Sequence, residues 1–227
     1  MARLGRTDVG GYIYHVINRA NGHDNIFDND KDYHSFETTL EDAVIKFDMR
    51  LLAYCIMPNH WHLVIYPKKD GDLVNFMRWL TNTHTRRWHI EKNSTGEGHL
   101  YQGRYKSFIC QNNNHFITLA KYVEQNALKA KFVDKAENWK WSSIWRRENG
   151  SVDQEKILSN WPVDMPEDYL ECVNQLQLES KEDELIENSI IKSTPFGDPN
   201  WVDSIAKQFG LEQSLRKPGR PKKINGE

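Results

Sequence analysis

The stretch Leu51-Leu52-Ala53-Tyr54-Cys55-Ile56-Met57-Pro58-Asn59-His60-Trp61-His62-Leu63-Val64-Ile65-Tyr66 reads as a β-hairpin. Leu51–Met57 is an unbroken apolar run of the length of a short buried strand. Pro58-Asn59 is a turn signal, and Trp61–Tyr66 returns as the partner strand. Side chains alternate between the faces of a strand. His60 and His62 therefore project from one side, and Trp61 enters the opposite layer. Two imidazoles on one face can converge on one metal ion, and a strand is a rigid platform for such a site. The plainer alternative is a pair of surface or hydrogen-bonded histidines.

Working outward, Gly11–Ile17 is β-branched and aromatic, which predicts an opening strand. Phe36, Leu40, Ala43, Val44 and Phe47 recur at helical spacing, which predicts a helix over Lys31–Phe47. Leu73, Phe76, Met77 and Leu80 give a second helix ending near Ile90, followed by a polar loop over Asn93–Gly98. Tyr105–Gln111 reads as a strand. Asn113 is an N-cap for a helix reaching about Ala130. The order β, α, β, β, α, β, α predicts an α+β domain. Its simplest packing is an antiparallel sheet with the helices on one face. Trp139, Trp141 and Trp145 are expected to fold back as a cap. Short helices are expected at Pro166–Leu178 and Trp201–Phe209. The division expected is a main α+β domain over 1–150, an acidic helical extension over 151–210 and a basic flexible tail over 211–227.

Hydrophobic residues make up 38% of the 227 positions and charged residues 27%, an ordinary soluble composition. No apolar run approaches the ~18 residues a membrane span needs, and nothing resembles a secretory signal. Cys55, Cys110 and Cys172 have no metal spacing and read as free thiols of a reducing cytoplasm. The net charge of −2 hides an asymmetry. Residues 1–150 carry 21 basic and 17 acidic side chains, residues 151–190 carry 2 and 11, and residues 191–227 carry 7 and 4. A basic body with a basic tail points to a polyanionic partner.

Two histidines need further ligands. No cysteine is suitably spaced, which disfavours structural zinc. Carboxylate, amide or water oxygens would suit Mg²⁺ or Mn²⁺. On the helix after Asn113, Tyr122, Gln125 and Asn126 share a face by spacing. Asn126 could complete the metal site, and Tyr122 would then aim its hydroxyl at a phosphate. The alternative is a half-buried helix aromatic beside a surface amide. Arg19, Arg78, Arg86, Arg87, Arg104 and Lys106 are candidate phosphate contacts, and Trp79 and Trp88 candidate stacking platforms. His15 is either a core histidine or a neighbour of the site. The tail carries Lys217, Arg220 and Lys222 around Gly219-Arg220-Pro221, similar to an AT-hook that enters a minor groove.

Met57-Pro58-Asn59-His60-Trp61-His62-Leu63 resembles the His-hydrophobic-His motif of single-tyrosine (HUH) transposases. More narrowly, the chain resembles the REP-associated tyrosine transposases. Tyr14-His15-Val16-Ile17-Asn18-Arg19 is similar to their opening strand, and Leu100–Ser107 to a later strand region. Tyr122-Val123-Glu124-Gln125-Asn126 resembles their tyrosine helix. Trp141-Ser142-Ser143 and Gly219-Arg220-Pro221-Lys222 resemble later landmarks. Five motifs fall in the same order over about residues 10–145 and part of the tail. One departure is Ala127, where the family usually has proline.

The resemblance implies a ferredoxin- or RRM-like core. It implies Tyr122 as nucleophile and His60, His62 and Asn126 as ligands of a divalent metal, Mg²⁺ or Mn²⁺, with Gln125 as a substitute for Asn126. The reaction implied is nicking and rejoining of single-stranded DNA at REP-type hairpins through a 5′-phosphotyrosine. The expected setting is the cytoplasm, on the nucleoid, with a monomer favoured over a dimer. Two other readings remain at this point: a relaxase or replication-initiator nuclease of the same superfamily, and a DNA-binding regulator without catalysis.

Overall fold

The structure, a computed structural model, describes residues 7–176 and 180–216. Lys217, Arg220 and Lys222 lie outside the described residues, as do the last two positions of the helix expected at Pro166–Leu178. The element order expected from sequence is present: β1 (Ile13–Arg19), α1 (Asp30–Phe47), β2 (Arg50–Met57), β3 (His60–Tyr66), α2 (Asp72–Glu91), β4 (Lys106–Cys110) and α3 (Asn114–Glu124). Four antiparallel strands form one sheet in the order β2-β3-β1-β4. The chain is therefore α+β, as its pattern indicates.

The helices do not all lie on one face. Phe36 and Leu40 of α1 and Phe76 and Leu80 of α2 pack with Tyr14, Val16, Tyr54, Trp61 and Leu63 on one side of the sheet. Phe116, Leu119 and Val123 of α3 pack with Ile13, Cys55, Val64 and Phe108 on the other. The reason lies in β2, where every residue from Leu51 to Met57 is buried. A strand covered on both sides reads as a continuous apolar run rather than an alternating one. That run implies a second helical layer.

Local chemistry fixes the ends. Asn29 caps α1 by accepting from the Lys31 and Asp32 amides, and Asn113 caps α3 by accepting from His115 N. Asp8 reaches the N-terminus of α2, where its carboxylate accepts from the Leu73 and Val74 amides. Pro58-Asn59 joins β2 to β3 as a tight turn. The Pro58 carbonyl accepts from Ile26 and Phe27 N, and the Asn59 carbonyl from Ala20 N. The turn that delivers His60 is thus tied down.

The helix expected from Asn113 to Ala130 is divided into α3 and α4 (Asn126–Lys129). The Asn126 side-chain amide donates to the Tyr122 and Val123 carbonyls and so competes with the helix ladder at this point.

Beyond α4 come α5 (Ser143–Asn149), α6 (Val152–Glu155), α7 (Tyr169–Asn174), α8 (Lys181–Lys192) and α9 (Pro199–Phe209). This part closes both sheet edges, which would otherwise present unpaired backbone groups. Ile56 N donates to the Trp141 carbonyl beside a Cys55–Ser142 bridge. At the other edge Phe196 exchanges bonds with Ile109 and Gln111. Trp141 stacks on Tyr33 at 4.9 Å, and Trp139 Nε1 donates to the Ile56 carbonyl. Tyr169, Val173, Ile186 and Phe196 join the apolar layer around α3.

Candidate active site

Strand register builds the site. In the β1–β3 ladder Arg19 lies opposite His60, Ile17 opposite His62 and His15 opposite Val64. In the β1–β4 ladder Lys106 lies opposite Ile17. Paired residues share a face, so His15, Arg19, His60, His62 and Lys106 all project toward the α3 layer. Trp61 projects the other way and is fully buried, with its Nε1 donating to the Tyr101 hydroxyl at 3.0 Å. A cavity of about 740 Å³ opens on the α3 side. Arg19, His60, His62, Arg104, Lys106, Tyr122 and Asn126 line it, together with Gln102 and, from α8, Glu187.

The histidines are held as neutral rings. The His60 and His62 centroids are 5.0 Å apart. Burial, followed by the Arg19 charge, brings the His60 pKa down to about 4. Burial, His60, His15 and Arg19 hold His62 well below its ordinary value. Each ring has its Nδ1 engaged. His60 Nδ1 lies 2.6 Å from Asn59 Oδ1, and His62 Nδ1 lies 2.9 Å from His15 Nε2. Neutral imidazole is the ligating form, and a bonded Nδ1 leaves Nε2 as the nitrogen available to a metal.

Tyr122 stands over this pair from α3. Its ring is 6.0 Å from that of His62, at 80°. Lys129 Nζ sits 5.1 Å from the Tyr122 centroid and pairs with Asp183 of α8 at 2.7 Å. Among the described residues the Tyr122 hydroxyl makes no hydrogen bond. Burial raises its pKa above the usual phenol value, Glu187 and Asp183 raise it further, and Arg19 acts in the opposite sense. Asn126 anchors through its amide nitrogen, so its oxygen is the donor atom left for a cation.

Gln125 does not share this face. It is buried, and its Nε2 donates to the Val173 carbonyl at 2.6 Å. Adjacent residues on a helix point about 100° apart, so Asn126 facing the cavity turns Gln125 toward α7. It ties down the extension and is no substitute for Asn126. Glu124, one residue earlier, is fully buried and accepts from Ser143, Arg147 and the Tyr169 hydroxyl, which fixes α3 from behind.

The candidate phosphate contacts separate. Arg19, Arg104 and Lys106 border the cavity and make no ion pair among the described residues. Arg78 borders a second cavity of about 660 Å³, which shares Asn18, Gln102, Gly103 and Arg104 with the first and has no Asp or Glu in its lining. Arg86 is exposed on α2 and borders neither. Arg87 bridges α2 to α1 through Thr39 Oγ1 and Asp42, so its guanidinium serves the helix pair. Trp79 packs against Phe47, and Trp88 Nε1 donates to the Ile26 carbonyl.

His60, His62 and Asn126 line one cavity and offer two imidazole nitrogens and an amide oxygen that could hold a divalent cation. Among the described residues no three His, Cys, Asp or Glu side chains cluster as a metal cage. Two neutral imidazoles and one amide oxygen would leave positions for phosphate and water oxygens, as Mg²⁺ and Mn²⁺ sites do. Sequence reading missed Glu187 and Gln102. For His15 both readings hold: it is buried, and it bonds His62 at the edge of the site.

Residues 8–126 match the protein family described as "Transposase IS200 like". No curated protein sequence matches the chain. Among solved structures, the fold is similar to a REP-associated tyrosine transposase bound to a REP hairpin. That alignment has a TM-score of 0.56 and 15% identity, and covers 73% of this chain and 95% of the other. A protein assigned as a transposase in Deinococcus radiodurans aligns over 58% of this chain and 92% of its own, with 18% identity and a TM-score of 0.39. The family match spans more than half of the chain and contains the histidine pair, Tyr122 and Asn126, so the chain belongs to the IS200-like transposase family.

Proposed function

We propose that this chain is a REP-associated tyrosine transposase that nicks and rejoins single-stranded DNA beside a hairpin. Tyr122 is the nucleophile, and His60, His62 and Asn126 hold a divalent cation, Mg²⁺ or Mn²⁺. The observation that carries this reading is the placement of Tyr122 edge-on to His62, in a cavity whose other walls carry Arg19, Arg104 and Lys106.

The reaction is a transesterification. Tyr122 Oη bonds to the scissile phosphorus, and the bond from phosphorus to the 3′ oxygen breaks. The phenolic proton passes to water, and the 3′ oxygen leaves as a hydroxyl. The 5′-phosphotyrosine retains the ester bond energy, so a 3′-hydroxyl can rejoin the strand without ATP. When bound, the cation supplies charge neutralisation at the phosphate. Arg19 and Lys106 add fixed positive charge at the same place and cost no reorganisation during the reaction. Lys129 and His62 both contact the Tyr122 ring. The acid-free second cavity, reached past Gly103 and Arg104, gives the unpaired strand its path toward Arg78.

The experiment is incubation with hairpins carrying an unpaired flank, with and without Mn²⁺, followed by denaturing electrophoresis. Metal-dependent protein-linked DNA supports the reading. Tight binding without any adduct would point instead to a non-catalytic DNA-binding protein.

A further inference from the structure

His15 is fully buried on β1 and has one polar contact among the described residues, the 2.9 Å bond between its Nε2 and His62 Nδ1. Phe108 covers one side of its ring at 4.9 Å. Its Nδ1 is buried without a hydrogen-bond partner among the described residues. Buried polar atoms are nearly always bonded, and an exception is a local cost that survives where it serves something else.

Neutral imidazole has one N–H and one lone pair. Two neutral rings sharing one bond have two arrangements. In the first, His62 Nδ1–H donates to His15 Nε2, and His62 Nε2 keeps its lone pair. In the second, His15 donates, and His62 Nε2 carries the proton and cannot ligate. His60 shows what the site requires. Its Nδ1 faces the Asn59 side-chain amide oxygen Oδ1, an acceptor only, so His60 Nε2 bears the lone pair. His15 is wholly buried against Phe108 and makes no ion pair among the described residues, so its ring is neutral and its Nε2 can accept.

We propose that His15 is a positioning residue, which accepts the His62 Nδ1 proton and thereby presents the His62 Nε2 lone pair to a divalent cation in the Tyr122 cavity. This rests on the reading of His60 and His62 as metal ligands. The unpartnered Nδ1–H of His15 is then the local cost of fixing that tautomer.

The test uses metal-free full-length protein. Long-range ¹H–¹⁵N spectra are expected to show His62 as the Nδ1–H tautomer. Mn²⁺ titration followed by electron paramagnetic resonance is expected to show about 10- to 100-fold weaker binding for His15→Phe, the usual loss on removing a ligand's outer partner. His15→Gln can accept the same proton through Oε1 and is expected to bind Mn²⁺ nearly as the wild type does. An Nε2–H tautomer in the wild type overturns the proposal, as does wild-type affinity in a folded His15→Phe. If His15→Phe does not fold, the tautomer and the glutamine variant decide. His15→Gln binding as weakly as His62→Ala also overturns it. A wild type that binds no Mn²⁺ overturns the ligand reading itself, a separate failure.

Discussion

The Tyr122 ring stands edge-on to the His62 ring, 6.0 Å between centroids and 80° between planes. This contact joins α3 to β3 across the face of the sheet that the first two helices leave open. It depends on the parity of His62 in β3 and on the placement of α3, which Glu124 secures from behind through Ser143, Arg147 and Tyr169.

Removing either proposed ligand histidine should abolish nicking and spare DNA binding. His60→Ala and His62→Ala each leave one imidazole on the site, too few to hold the cation against water. Nicking is to be measured across a Mn²⁺ series, with hairpin affinity followed in parallel. Undiminished nicking by either variant would remove that residue from the metal shell.

Cations along the two cavities should set the salt dependence of binding. Each phosphate-neutralising side chain adds about 0.7 to 0.9 to the slope of log affinity against log salt. Arg104→Ala and Arg78→Ala should each flatten the slope by roughly that amount. Arg87→Ala should leave it unchanged, because Asp42 and Thr39 already occupy that guanidinium. Equal slopes for wild type and both cavity variants would place the DNA elsewhere.

Glu187 should restrain Tyr122, the proposed nucleophile. Burial is the main reason that the Tyr122 phenol is harder to deprotonate than usual, and Glu187 follows. Glu187→Gln removes a negative charge and lowers that pKa. More phenolate is then present at any pH below it. Single-turnover nicking at pH 8 should rise about two- to fivefold, equivalent to roughly 0.4–1 kcal/mol of charge repulsion. The alkaline rise of the pH–rate profile should move to lower pH. A slower or unshifted variant would contradict this.

The core on the other face carries a pH liability in His84. It is buried between Phe27 and Phe36, and its Nδ1 is 2.6 Å from the Tyr101 hydroxyl. Burial brings its pKa down to about 3 from 6.5. The unfolded chain takes up a proton near pH 6.5, and the folded chain does not. The contribution of His84 is therefore whole above pH 6.5 and declines as the pH falls toward 3, by up to about 1.4 kcal/mol per pH unit. Urea unfolding at pH 7.5, 6 and 5 should show that decline, less steep in His84→Phe. Identical slopes in both proteins would refute it.

Much of this was legible in the residues. Leu51–Tyr66 contains the hairpin, and Pro58-Asn59 is its turn. The parity of His60, Trp61 and His62 assigns each to its face. Three features were not legible from the same reasoning. The side of the sheet taken by α3 depends on tertiary packing, although the doubly buried β2 hints at it. Gln125 and Asn126 look alike as helix amides, and only the place of α7 shows which one faces inward. Glu187 lies in an acidic segment whose composition suggests a solvated surface, and only the path of the folded chain through α8 brings it to the Tyr122 cavity.

The measurement closest to the central claim is identification of the DNA-linked residue. The protein is incubated with a ³²P-labelled hairpin substrate and Mn²⁺, denatured and digested, and the nucleotide-bearing peptide is sequenced by mass spectrometry. The expected result is one modified peptide with the 5′-phosphate on Tyr122, and no adduct from Tyr122→Phe that is otherwise folded and binds the hairpin. An adduct on another residue, or an undiminished adduct in Tyr122→Phe, would contradict the assignment of Tyr122 as nucleophile.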